Sequence, residues 1–124
     1  MSNEKRKKTQ QQNMTAIIYN KRNKILSIGK NNYVKTHPLM YKVSKEINPI
    51  EYPKKIYLHA EIDAIVKCEN LKNAYRILVF RINAKGEYAL AKPCPICEKA
   101  IREQTPIKIV EFSVDNDNND FIKL

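Results

Sequence analysis

The chain has 124 residues, enough for one domain with a real core and too few for a second catalytic or regulatory unit. It carries 23 Lys and Arg against 13 Asp and Glu, a net charge of +10, and has no apolar stretch near the roughly twenty residues of a spanning helix, which excludes a helical membrane protein. Three cysteines and no apolar leader predict an intracellular, cytoplasmic protein whose thiols stay reduced, without disulfides.

The positive excess is uneven: +3 over residues 1–13, +7 over 14–57 and zero over 58–124. A basic half suggests a polyanionic substrate or a nucleic-acid footprint, the plainer alternative being a lysine-rich solvated surface. Residues 1–13, with Lys5-Arg6-Lys7-Lys8 and Gln10-Gln11-Gln12, cannot bury a face and read as a basic disordered arm or loose helix ahead of a single domain over 14–124. From Met14 two β-rich runs, Thr15 to Tyr19 and Ile25 to Ile28, flank a polar connection and predict a β-hairpin ending near Gly29. Between Gly29 and Leu58 the chain is irregular except for Pro38 to Ile47, where Leu39, Val43 and Ile47 share one helical face. His37 is assigned to the surface or a substrate loop.

A helix is predicted over His59 to Leu71. With His59 at 0°, Asp63, Lys67 and Asn70 gather between about 20° and 80°, while Ile62, Ala64, Ile65, Val66 and Cys68 fill the apolar side. Glu61 falls near 200°, on that apolar side, where a carboxylate is costly unless paired or neutralised. Arg76 to Ile82 reads as a central strand, Asn83 to Gly86 as a turn, and Tyr88 to Ala91 as the return. A second helix begins at Cys94 and Cys97 and is stopped near Gln104 by Thr105-Pro106. Ile107 to Val114 alternates as a strand. The six residues from Asp115 to Asp120 are too few for a parallel crossover, which takes a dozen or more, so a last strand over Phe121 to Leu124 should pair antiparallel.

The chemistry is carried by His59-Ala60-Glu61 and Pro93-Cys94-Pro95-Ile96-Cys97. Two thiolates three residues apart converge at a helix start and can share one metal ion, with His59 as the third ligand. A closed structural zinc site takes four protein ligands. Three leave a corner for water, whose pKa the metal lowers to roughly 7. A lone Cys-x-x-Cys is also half of a zinc ribbon, or a redox pair. A ribbon needs a second pair, however, and the only other cysteine is Cys68, read as a small buried apolar residue. General acid/base work beside a metal gives Glu61 a reason to sit where it does. Two helix N-termini would then converge on the site, their partial positive charge favouring thiolate.

His-x-Glu followed by Pro-Cys-x-x-Cys is the known zinc-deaminase signature, and the chain resembles the cytidine and deoxycytidylate deaminase superfamily. The resemblance implies an α/β fold, a three-layer cytidine-deaminase-like sandwich with a mixed sheet of about five strands. It implies zinc held by His59, Cys94 and Cys97, with Glu61 moving the proton. Gly29-Lys30-Asn31 looks like the Gly-x-Asn that such enzymes place after the second strand, making Asn31, with Ala60, a substrate contact. The implied activity is hydrolysis of a cytosine nucleoside or nucleotide to the uracil product and ammonia, by a homo-oligomer. Two alternatives stand beside it: a deaminase of cytosine or adenine in single-stranded DNA or RNA, and a non-catalytic zinc-binding nucleic-acid module, for which Glu61 would have no use. One departure is Lys92, where many relatives have Glu or Ser.

Overall fold

The computed structural model describes residues 13–47 and 58–124; the expected arm, save Asn13, and the loop segment 48–57 lie outside the described residues. Strands β1 (Asn13–Tyr19) and β2 (Ile25–Lys30) form the expected antiparallel hairpin. Helix α1 spans Pro38–Ile47 and helix α2 Ala60–Lys67. A short 3₁₀ turn at Leu71–Asn73 leads into β3 (Arg76–Ile82) and the two-residue β4 (Tyr88–Ala89). Helix α3 (Pro95–Gln104), β5 (Ile109–Ser113) and β6 (Asn119–Lys123) complete the order. Among the described residues the sheet runs β2-β1-β3-β5-β6 with β4 on β3, giving six strands where about five were expected; the extra one is the Tyr88 return. It is mixed, β3 and β5 being its one parallel pair, and β6 pairs antiparallel with β5 as the short connection required.

Strand alternation puts one row of side chains under the helices. Ala16 and Ile18 of β1 pair with Val79 and Ile77 of β3, which pair with Phe112 and Val110 of β5, and all six are buried. Met40 and Val43 of α1, Ile62 and Ala64 of α2, and Ala100 and Ile101 of α3 close the same core. A fully buried isoleucine contributes roughly 1.5–3 kcal/mol, so the helix-facing side of the sheet is where stability concentrates. Helix α1 has the bounds the sequence implied; His37 Nδ1 accepts the Leu39 N–H at 3.1 Å and caps it. Met40, completely buried, is the core residue that the i, i+4 spacing left out.

Helix α2 differs from expectation. It ends at Lys67, with Cys68 as a half-buried C-cap instead of a residue inside the helix. Val66, placed on the apolar side of the wheel, is exposed, and Asp63, placed on the polar side, is buried. The reason is that α2 docks on β2 as well as on the sheet face. Asp63 Oδ2 accepts the Lys30 N–H at 2.9 Å and pairs with Lys67 at 2.8 Å, and Ser27 donates to the Ala64 carbonyl at 2.8 Å. Gly29 lies inside β2, not after it, because the helix backbone passes directly over it. A Cβ there would collide with the Ala60 carbonyl oxygen and the Ala64 nitrogen and would stand 2.7 Å from Ala64 Cα. Backbone cannot rotate away as a side chain does. Gly29→Ala should therefore cost about 3 kcal/mol, at the upper end of overpacking penalties, as measured by urea unfolding. An unchanged midpoint would show that α2 docks without this approach.

Candidate metal centre

Two helix starts build the centre. His59 is the N-cap of α2, in extended backbone, and the chain before it is held by a bridge in which Leu58 and Asn32 exchange N–H···O bonds of 2.8 and 3.1 Å. Cys94 is the N-cap of α3, Pro95 fills the first turn where its missing N–H costs nothing, and Cys97 follows at the third helical position, fully buried. The Cys-x-x-Cys spacing thus turns both sulfurs toward His59. His59 Nδ1 lies 3.2 Å from Cys97 Sγ and 3.5 Å from Cys94 Sγ, and the three donor atoms fall within 4.8 Å of one another.

These distances suit a metal. Zinc–nitrogen and zinc–sulfur bonds of about 2.0 and 2.3 Å in a tetrahedron place nitrogen and sulfur roughly 3.5 Å apart, close to both separations here. Two soft sulfurs and an imidazole match zinc in chemistry as well. Among the described residues no other group of three ligand-type side chains converges in this way. His37 serves α1 and Cys68 caps α2, so neither joins the group.

The two thiols are unlike. The hydrogen bond from Cys97, supported by His59 and opposed by burial, holds Cys94 down to about 4, so Cys94 is the thiolate. The same shared proton, burial and the neighbouring Glu61 push Cys97 well up, so Cys97 keeps the thiol. Burial works against the His59 cation, yet its contacts with Cys94 and Glu61 outweigh that and raise it. Zinc uptake must release the Cys97 proton, so affinity should rise with pH and about one proton or more should leave per zinc in a weakly buffered titration. No proton release would show Cys97 already ionised.

Glu61 sits in the first turn of α2, only 3% exposed. Burial, the largest influence, raises its pKa above the ordinary carboxylate value, against the lowering influence of the neighbouring His59 and Cys97. Ala60, buried at the start of α2, lies between His59 and Glu61 under Gly29. Asn31 follows β2, where its Oδ1 accepts the Met14 N–H at 3.1 Å. Residues that sequence reasoning passed over, Ser27, Asn32 and Asp63, hold the histidine segment in place. Gly29 gave the one legible signal of that docking, since a lone glycine inside a strand marks a close backbone approach.

Zinc deaminases are the class that this scaffold and donor set define. The chain belongs to the family described as the cytidine and deoxycytidylate deaminase zinc-binding region, whose model matches residues 1–113. A comparison with curated proteins gives no match. No described helix is long and apolar enough to cross a membrane.

Proposed function

We propose that the protein is a hydrolytic deaminase converting a cytosine nucleoside or nucleotide, such as cytidine, deoxycytidine or a monophosphate, to the uracil product and ammonia. The observation that supports this most is Glu61, a buried carboxyl held against the donor cluster of His59, Cys94 and Cys97. A purely structural site has no use for it, and burying it is costly. When bound, zinc supplies Lewis acidity that brings the pKa of a water molecule into the neutral range. Glu61 takes one proton from the attacking water and delivers it to the ring nitrogen. As the water oxygen bonds to the amine-bearing carbon, Glu61 takes the second proton from that oxygen and passes it to the amine, and the carbon–nitrogen bond breaks to release ammonia and leave the carbonyl. Its raised pKa suits a group that must both accept and give a proton near neutral pH.

Ala60 lines the approach to Glu61 through its backbone, and Asn31, anchored by Met14, is the proposed contact to sugar or base. The reading takes residues 14–124 as the deaminase domain and 1–13 as a basic arm, acting in the reducing cytoplasm, where the thiols stay available to metal. A homo-oligomer is part of it, supported by exposed Ile25, Ile28 and Phe121 on the outer strands.

A second reading, deamination in single-stranded DNA or RNA, is favoured by one observation: the entire positive excess precedes the first ligand. Ammonia release from cytidine, deoxycytidine, their monophosphates, adenosine, guanine and single-stranded oligonucleotides separates the two. Turnover should be greatest on the cytosine nucleosides or monophosphates, with any preference for the charged form shrinking as salt rises. An oligonucleotide used best, with a salt slope near 0.7 per contacted phosphate, would install the second reading instead. Zinc-loaded protein inert on every cytosine and adenine compound would end both.

A further inference from the structure

The cavity at the opposite pole of the molecule is not used by the proposed chemistry. It holds about 640 Å³ and is lined by Lys21 and Arg22 of the β1–β2 turn, Lys72 of the 3₁₀ turn, Tyr75 before β3, and Lys108 before β5. Four cations thus converge from three separate segments. No acid lines the cavity, and among the described residues none of the four stands in an ion pair. The nearby acid Glu111 is already taken by Arg76 at 2.8 Å.

The cations are placed on fixed backbone. Asn20 Oδ1 accepts the Arg22 and Lys24 N–H groups at 2.9 and 3.0 Å, and Asn23 takes a positive φ of 62°, so the turn carrying Lys21 and Arg22 has one shape. Tyr75 donates its N–H to Tyr19 at 2.8 Å and receives that of Lys108 at 2.8 Å. Lys21 Nζ stands 5.8 Å from the centre of the Tyr75 ring. Helices α2 and α3 end at this pole, but a helix C-terminus acts only over its last turn, and Lys67 and Arg102 already occupy those turns. The remaining four, all exposed, present their charge to the cavity with no acid among its lining residues, which suits an anion.

We infer that this cavity is a second binding site, for a phosphate-bearing ligand, separate from the metal centre. Eight residues of α2 and ten of α3 lie between the two, roughly 12–15 Å of helix, so the phosphate held here is not on the nucleotide whose base is reacting. The volume is that of a small-ligand pocket, and the Tyr75 ring offers a face beside the cations. The phosphate can come from a free nucleotide or from the backbone of a strand.

The test uses the full zinc-loaded chain in two charge-matched variants. Lys72→Glu/Lys108→Glu alters the cavity; Lys42→Glu/Lys45→Glu alters exposed positions on α1 by the same net charge. Inorganic triphosphate should bind the unaltered protein at low salt, weaken by about tenfold or more in the cavity variant, and change less than about threefold in the other, since charge-assisted contacts are local. Equal weakening in both, or no binding to the unaltered protein, would overturn the site. Repeating the titration with deoxycytidine triphosphate and with a short single-stranded oligonucleotide identifies the source. A cavity-specific loss confined to the nucleotide assigns a free nucleotide, and one confined to the oligonucleotide assigns a strand. Zinc content and far-ultraviolet circular dichroism, unchanged in both variants, separate this result from damage to the fold or the metal centre.

Discussion

Glu61→Gln should retain zinc and the fold while slowing ammonia release by at least about 10²-fold, the lower range of what a positioned general acid/base contributes. Glutamine matches glutamate in shape but cannot take up and return a proton at the same atom. The substitution should also leave stability unchanged or higher, because a buried carboxylate disappears from a helix turn that is otherwise part of the core. Burial raises the Glu61 pKa in the fold, so in zinc-free protein its contribution is fully present below the ordinary carboxylate value and is lost as pH rises through the raised one. Glu61→Gln should flatten that slope. Turnover near that of the unaltered protein, in a zinc-loaded variant, would remove Glu61 from the mechanism.

Cys97→Ala should abolish stoichiometric zinc and lower the unfolding midpoint sharply. Cys97 is fully buried with its sulfur 3.2 Å from His59 Nδ1, so its loss leaves only His59 and Cys94. Structural zinc sites bind with roughly 10–16 kcal/mol, and losing the ion forfeits that coupling to folding, which rivals the whole stability of many domains at about 5–15 kcal/mol. Cys68→Ala is the control: a half-buried helix cap outside the donor cluster, its loss should leave zinc in place. Elemental analysis of both variants decides the matter, and equal zinc loss in the two would break the assignment of ligands.

The three donor side chains that converge were legible because their chemistry is local. Cys-x-x-Cys behind a proline needs only the helix start that Pro95 provides, and His59 opens the apolar stretch of α2. The hairpin, β3 and α1 were legible for the same reason, each carrying its own periodicity and punctuation. Asp63 and Val66 were misplaced because a wheel shows which residues share a face and not what lies against it. The end of β2 meets the polar side of α2, burying Asp63 against the Lys30 N–H and leaving Val66 to solvent. The early end of α2 was hidden too: Tyr75 must reach the Tyr19 carbonyl to set the β1–β3 register, and the chain leaves the helix at Cys68 to get there. Strand β4 has two residues, too few to show a period of its own.

The bridge between Asn32 and Leu58 and the close approach of Gly29 to α2 tie the position of His59 to the docking of that helix. His59 is in place only where α2 is docked on β2 and β1, and the two cysteines meet it only where α3 is packed against α1 and α2. A chain that has collapsed without that packing presents two thiols and no third donor. Metal occupancy is in this sense a gauge of packing: a molecule whose α2 is undocked lacks the third donor even where the sheet is formed.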